Sequence, residues 1–309
     1  MRSTILVTGA SGQVGFELVR AFHFFGKVIA PERSELNLAN ESEVHAYLLK
    51  HQPNIILNAA AYTAVDRAED EETECFALND KLPELLSEFV LSRSQSGISC
   101  TLIHFSTDYV YPGTGTKAWK ESDAIGPLSV YGKSKLAGEQ KVLKNLSSSS
   151  VKHYILRTSW VYSARGNNFM KTMLRLALER DSLNIVNDQI GAPTPARLLA
   201  QLSVLLVIKD ADSGIYHAAP RGETSWFEFA KAIFEQAKSR LSFMIDESGI
   251  CGIPTENYPT PAVRPLNSRL NLEKVERVLD IELPHWKDEL ELTLDEYLEQ
   301  VSGSTKHGL

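Results

Sequence analysis

The sequence predicts an α/β protein: a doubly wound parallel sheet with a smaller, interleaved C-terminal α/β lobe. Three observations predict it. Strand-like and helix-like segments alternate as far as Tyr162, which calls for right-handed crossovers and a parallel sheet covered on both faces. A glycine turn joins the first strand to the first helix. At 309 residues the chain exceeds what one small core holds, so a second lobe is expected.

Taken in order, "TILVTGASGQVGFELVRAF" reads as a buried strand, the glycine turn and a helix, and "KVIAPER" as a second strand. "ESEVHAYLLKHQ" is helical, and "NIILNAAAY" is a third buried strand. "ETECFALNDKLPELLSEFVLSRS" is a long helix bent or restarted at Pro83, which lacks the N–H a helix interior needs. "SCTLIHFSTDYVY" is a strand, "YGKSKLAGEQKVLKN" a helix and "KHYILRTSWVY" a strand. Beyond Tyr162 the rhythm breaks. "NNFMKTMLRLALER" is an amphipathic helix; "LNIVNDQIGAPTPARLLAQLSVLLVIKD" holds a short strand, a loop and a helix; "GIYHAA" is one more sheet strand. "SWFEFAKAIFEQAKS" is helical, "GIPTENYPTPAVRPLNSRL" is loop, and the tail "SGSTKHGL" is expected to be disordered. The expected division is 1–165 as a dinucleotide-binding domain, with 193–219 returning to it, and 166–309 mainly as a substrate lobe.

The net charge of −7 argues against nucleic acid or an anionic membrane as partner. Cys75, Cys100 and Cys251 are far apart and form no CxxC pair, so neither a disulfide framework nor a zinc site is expected. The N-terminus lacks a signal-peptide pattern, and no apolar run reaches the ~20 residues of a membrane span. A cytoplasmic protein is expected.

Gly9, Gly12 and Gly15 follow the first strand and open the first helix. The first permits a tight turn, the second lets a pyrophosphate approach the backbone, and the third lets helix and strand pack closely. The helix N-terminus then offers free N–H groups to phosphate. A dinucleotide cofactor is expected here. At the end of the second strand Glu32 and Arg33 point in opposite directions, since an acid there favours NAD and an arginine accommodates the 2′-phosphate of NADP. Arg33 and Ser34, with Ser11 in the glycine turn, favour NADPH; NADH is the alternative.

Tyr131 and Lys135 stand four apart at the start of a helix, one above the other. A free phenol titrates near ~10, and a neighbouring cation lowers that value. Lys135 is expected to tune Tyr131 as a proton donor and to bind the nicotinamide ribose. Thr107 and Ser106, at the end of the "HFSTDYVY" strand, supply hydroxyls where doubly wound sheets gather ligands. The plainer reading of YxxxK is an ordinary surface pair.

Together these features resemble an extended short-chain dehydrogenase/reductase, a Rossmann-type fold. The stretches "NAAAYTAVDRAE", "STDYVYPGTG", "PLSVYGKSKLAGE", "RTSWVYSARGNNFMKTMLRLA", "NDQIGAPT" and "YPTPAVRPLNSRL" further resemble the dTDP-4-dehydrorhamnose reductase family, from about residue 4 to about 300. That resemblance implies reduction of the C4 ketone of dTDP-4-dehydro-β-L-rhamnose by NAD(P)H. It implies that Thr107 orients the ketone and Tyr131 donates the proton, and that Gly12, Gln13 and Val14 meet the cofactor diphosphate. It places Asn37 and Leu38 near the adenine, Asn37 standing where the family more often has an acid. It sets Ala59, Ala60, Ala61, Tyr62 and Thr63 along the cofactor's middle. Asp108 and Trp160 face the sugar nucleotide, with Asn168, Gln189 and Arg264 as further candidates. The plain alternatives are a turn cap for Asp108, core for Trp160 and a surface ion pair for Arg264. Some family members have been associated with a divalent ion, but the "PTPARLLAQ" helix carries Arg197 and no acid, so no metal site is expected there. The expected partners are a dTDP-sugar and, as an open alternative to a monomer, a second copy of the chain. Two other functions stay open: a dinucleotide-binding regulatory subunit like that of methionine adenosyltransferase, and a reductase of the same keto sugar that forms dTDP-6-deoxy-L-talose.

Overall fold

A computed structural model describes residues 3–246 and 249–306, with side chains as far as 301. The N-terminal half contributes β1 (Ser3–Thr8), α1 (Gln13–Phe22), β2 (Gly26–Ile29), α2 (Glu41–His51), β3 (Ile55–Asn58), α3 (Glu72–Phe76), α4 (Leu82–Gln95), β4 (Thr101–Thr107), α5 (Val130–Leu146) and β5 (Lys152–Thr158). The remainder contributes β6 (Val161–Tyr162), α6 (Phe169–Glu179), β7 (Leu183–Val186), β8 (Ile190–Gly191), β9 (Thr194–Pro195), α7 (Ala196–Ile208), β10 (Gly214–His217), β11 (Thr224–Ser225), α8 (Trp226–Ala237), β12 (Ile250–Ile253), α9 (Glu273–Leu279) and α10 (Trp286–Lys306).

Six strands form one parallel sheet in the order β10-β5-β4-β3-β1-β2. The chain leaves β1 for β2 on one side and returns to β3 on the other, so the switch in strand order lies between β1 and β3. In such sheets the crevice beyond the carboxyl ends at that switch takes the ligand. One face of the sheet is covered by α1 and α7, whose Leu18, Phe22, Leu199 and Leu202 pack on Val7, Ile103 and Leu156. Val275, Leu279 and Leu283 join the same cluster, so α9 also returns to the sheet. The other face packs Leu6, Ile56, Leu102 and Ile155 on Leu82, Leu86 and Val142 of α4 and α5.

The lobe has its own core, with Met170, Leu174, Phe229, Ile233, Trp286, Leu290 and Leu294 drawn from α6, α8 and α10. Short pairings, β6 with β9, β8 with β11 and β7 with β12, tie its loops together.

Several local expectations are refined. β3 stops at Asn58, before the alanine run, and β4 stops at Thr107, where a 3-10 turn (Asp108–Val110) begins. The segment around Pro83 is helical throughout, but with a π turn (Ala77–Lys81) between α3 and α4 and Pro83 in the first turn of α4. The tail expected to be disordered is helical as far as Lys306, and residues 307–309 lie outside the described residues. No helix among the described residues is long and apolar enough to cross a membrane.

Candidate active site

The glycine turn is shaped as its spacing demands. Gly9 has φ +67°, and a Cβ there would come 2.8 Å from the Ala60 backbone. A Cβ on Gly15 would lie 2.2 Å from the Gly9 carbonyl oxygen. Gly12 N–H donates to that same oxygen at 2.9 Å and caps α1. Among the described residues no side chain caps α1 and its first turn has no acid, so the N–H groups of that first turn are not met by a side chain and stay open to an anion. Ser11 is exposed beside the turn, and Val14 packs on the sheet core.

Behind the turn, Thr8 hydroxyl donates to Asn58 Oδ1 at 2.7 Å, and Asn58 Nδ2 meets His104 Nδ1 at 3.0 Å. This buried row ties the carboxyl ends of β1 and β3 to the middle of β4. The 59–63 segment is held from the π turn: Asn79 accepts from Tyr62 N–H at 2.9 Å and donates to Tyr62 carbonyl at 3.0 Å and to Ser134 hydroxyl at 3.0 Å. Tyr62 hydroxyl donates to Glu71, and Thr63 is exposed. Ala59 packs on one sheet face and Ala60 is buried on the other.

Tyr131 lies within hydrogen-bonding reach of the Thr107 hydroxyl, which acts to lower its pKa. Its ring stands edge-on to Tyr109, centroids 5.6 Å apart. Lys135 is 2% exposed, and its ammonium donates to the Phe105 carbonyl at 2.6 Å. Thr107 and Lys135 thus both attach to the carboxyl end of β4. The expected tuning is not what the protein's own groups produce. Burial is the largest influence on the phenol and holds it well above its usual range; the Asp108 charge adds to this, and only Thr107 opposes it. Burial likewise pulls Lys135 down to about 8, with Glu139 and Cys75 acting against it. Neither group acts on the other, and desolvation governs both.

Asp108 is 2% exposed and accepts from Thr107 hydroxyl at 3.1 Å. Burial raises it to about 6, opposed by Ser268 and Thr107. The Ser268 hydroxyl favours the charge, yet Oδ2 has no hydrogen-bond partner of full geometry among the described residues. An acceptor in that condition suits a sugar hydroxyl.

Trp160 occupies φ +50°, a backbone strained for a bulky residue. Its indole stacks on Trp226 at 3.7 Å, and a Cβ on Gly191 would touch it at 3.1 Å. Gln189 is committed at both ends, accepting from Trp226 Nε1 at 3.1 Å and donating to Thr255 at 3.1 Å. It therefore orients the aromatic pair. Asn168 caps α6 and donates to Gln13 Oε1 at 2.8 Å and Ser163 carbonyl at 2.7 Å. Two residues expected at different ligands thus bond to each other across the seam between sheet domain and lobe.

Arg264, expected at the substrate diphosphate, is ion-paired with Asp66 at 2.8 Å, the plainer of its two readings. Its Nη1 is buried without a hydrogen-bond partner among the described residues, so one donor stays uncommitted. β2 stops at Ile29, short of the expected strand end, so Arg33 is exposed in the turn that follows, and Leu38 packs against the sheet. Asn37 accepts from Ala39 N–H at 3.1 Å in a local turn ahead of α2. On α7, Arg197 pairs with Glu296 of α10 and lies 3.9 Å from Glu17 of α1.

A family model described as the RmlD substrate binding domain matches residues 1–299. The chain belongs to that family. It is 43% identical to the dTDP-4-dehydrorhamnose reductase of Salmonella typhimurium, over 92% of this chain and 94% of the relative. Among solved structures it is similar to a Bacillus anthracis dTDP-4-dehydrorhamnose reductase in complex with NADP, with TM-score 0.85, 32% identity and coverage of 96% and 100%. A Clostridium acetobutylicum reductase of the same name gives TM-score 0.84 at 32% identity, covering 95% and 99%.

In this RmlD family member the sequence reading did not single out Trp226, Asn79, Ser134, Ser268 or Asp66 at the site. Asn79 carried a faint signal, a polar residue on the inner side of a helix just before a proline. Trp226 read only as the start of a helix. Nothing local links Asp66 or Ser268 to Tyr131.

Proposed function

We propose that the chain reduces the C4 ketone of dTDP-4-dehydro-β-L-rhamnose to dTDP-β-L-rhamnose, with NADPH as coenzyme and NADH as the alternative. One arrangement carries the reading: a buried phenol beside the Thr107 hydroxyl, with the Lys135 ammonium one turn along the same helix, all at the carboxyl end of β4. The Salmonella relative bears this activity in its name, and the Bacillus anthracis relative is solved with NADP.

The residues fit a dinucleotide. The left-handed Gly9, the crowding at Gly15 and the start of α1, which no side chain caps, make a cradle that offers a pyrophosphate backbone N–H groups. When bound, the coenzyme supplies the hydride that reduces C4. The protein supplies the proton and the alignment. Tyr131 gives its proton to the C4 oxygen, and Thr107 shares that oxygen and holds it in line. A reductase needs its acid protonated at the outset, and burial keeps Tyr131 so. Lys135 gives one N–H to Phe105 and has others for the ribose. Asp108 accepts from the sugar, the Trp160 indole forms an apolar wall, and the free donor of Arg264 meets the diphosphate. In this division residues 1–165 and 193–219 carry the coenzyme and the rest of 166–309 mainly the sugar nucleotide. The reaction belongs in the cytoplasm, where reduced coenzyme is made. A second copy of the chain as partner is tested by sedimentation.

The test is to incubate the protein with dTDP-4-dehydrorhamnose and NADPH, follow NADPH absorbance and read the C4 configuration of the product by NMR. dTDP-rhamnose is expected. The C4 epimer, dTDP-6-deoxy-L-talose, would assign the hydride to the other face. NADPH binding with no turnover and no binding of dTDP would replace the enzyme with a dinucleotide-binding regulatory subunit.

A further inference from the structure

Beneath the catalytic helix lies a chain of buried polar groups that the reduction itself does not use. Arg157 on β5 is 3% exposed, and Glu139 on α5 is 1% exposed. Nε of Arg157 donates to both carboxylate oxygens of Glu139, at 2.9 and 3.2 Å, and Nη2 donates at 2.6 Å. Nη1 donates to the Tyr111 hydroxyl at 2.7 Å. That hydroxyl also meets His217 Nε2 at 2.6 Å and the Lys120 carbonyl at 3.0 Å. His217 Nδ1 lies 2.9 Å from the Asn271 carbonyl. A carbonyl only accepts, so Nδ1 carries the proton; Nε2 and the Lys120 carbonyl are then both acceptors that share the single Tyr111 proton, and the Tyr111 oxygen accepts from Arg157. Burial holds His217 down to about 4, which keeps it neutral in this role.

A buried ion pair gains little stability over an apolar pair of the same size, because desolvation offsets the attraction. Its placement suggests another task. Glu139 is one helical turn beyond Lys135. Arg157 is paired in the sheet with Ser106, and the next residue, Thr158, with Thr107. Tyr111 closes the 3-10 turn that begins at Asp108. The chain therefore grips the three elements that carry Tyr131 and Lys135, Thr107, and the strand beside it.

We propose that Glu139, Arg157, Tyr111 and His217 form a positioning network, which holds the Tyr131–Lys135 helix in register with the Thr107 strand end and sets a carboxylate one turn behind the Lys135 ammonium. This rests on the reductase reading for its kinetic consequences, but not for its effect on coenzyme binding. The groups acting on Lys135 are few. Glu139 on its own helix and Cys75 on α3 favour its charge, burial opposes it, and His104 on β4 is itself held neutral by burial and by Lys135. Arg157 on β5 is engaged by Glu139. Lys135 is charged below its pKa and neutral above it. Removing the Glu139 charge moves that midpoint to lower pH, and the hold on the coenzyme ribose is lost sooner as pH rises.

The experiment measures the Kd for NADPH across about pH 6 to 10, together with Tm and kcat, for wild type, Glu139→Gln and the double variant Glu139→Gln/Arg157→Met. Wild type should weaken around pH 8, following Lys135. Glu139→Gln should weaken at lower pH and lose ~10²-fold in kcat, the scale of an ångström-level misplacement. The double variant removes both charges, so Tm should recover while the lowered midpoint and the kcat loss remain. If Glu139→Gln does not fold, the double variant carries the test alone. Tyr111→Phe, whose ring stays stacked on Trp119 at 5.1 Å, should lose kcat with an unchanged midpoint, and serves if neither charge variant folds. A double variant with wild-type midpoint and kcat, or a Tyr111→Phe with wild-type kcat, overturns the proposal. A wild type that binds NADPH with this pH dependence yet reduces no sugar overturns the reductase reading alone.

Discussion

Gly12→Ala should separate binding from folding. Gly12 has φ −80° and ψ 172°, an extended backbone open to any residue. A Cβ there would meet only the Gly9 carbonyl oxygen at 3.2 Å, a contact relieved by a few tenths of an ångström. Replacing glycine by alanine at a helix N-cap costs up to about 1 kcal/mol, or a Tm loss of roughly 1–2 °C in a chain of this size. The same methyl group stands where a pyrophosphate must approach the backbone. Each hydrogen bond to a charged group contributes ~1.5–3 kcal/mol, so losing one weakens NADPH roughly 10- to 150-fold. Gly9→Ala is the contrast. Its φ of +67° is unfavourable for alanine by ~1–2 kcal/mol. Its Cβ would press the Ala60 backbone at 2.8 Å, an overpacking cost of ~1–3 kcal/mol. Gly9→Ala should therefore lose several times more Tm than Gly12→Ala. Calorimetric titration with NADPH and thermal melts of both variants check this. A folded Gly12→Ala that binds NADPH like wild type would refute the phosphate cradle, and equal melting losses would refute the geometric distinction.

Tyr131→Phe keeps the ring against Tyr109 and should lower turnover ~10²–10⁴-fold with NADPH affinity retained; wild-type turnover would remove Tyr131 as the acid. Arg33→Ala should weaken NADPH more than NADH in parallel titrations, since only NADPH presents a 2′-phosphate; equal losses would show that Arg33 does not read it. Trp160→Ala should raise the Michaelis constant for the dTDP-sugar while NADPH affinity stays unchanged, and unaltered dTDP binding would return Trp160 to a packing role against Trp226. Burial lifts Asp108 to about 6, so kcat/KM for the sugar should fall as pH drops through that value and the carboxylate takes up its proton; Asp108→Asn should lack this acid limb, and a limb that persists would belong to another group.

Much of the molecule was legible because its signals are local. The glycine turn is a contiguous stretch, and the helical spacing of Tyr131 and Lys135 follows from one turn of α5. The alternation of strands and helices implies the parallel sheet, and the motif run implies the family. The ends of β3 and β4 were read too long, because the alanine run and "DYVY" have strand-like composition. There the chain instead leaves the sheet to open the crevice: the row Thr8, Asn58 and His104 marks where β3 stops pairing, and β4 pairs on with β5 as far as Thr107.

What the sequence by itself determined about this protein is the set of elements, the glycine turn, and the residues Tyr131, Thr107 and Lys135 that the proposed chemistry uses. Tertiary structure alone decided which distant residues stand beside them: Trp226 on Trp160, Asn79 around Tyr62, Asp66 on Arg264, and Arg157 under Glu139. It also decided the sign of the effect on Tyr131. Spacing shows that a lysine is one turn away, whereas desolvation depends on everything packed around the phenol, and here burial and the Asp108 charge act together against only the Thr107 hydroxyl.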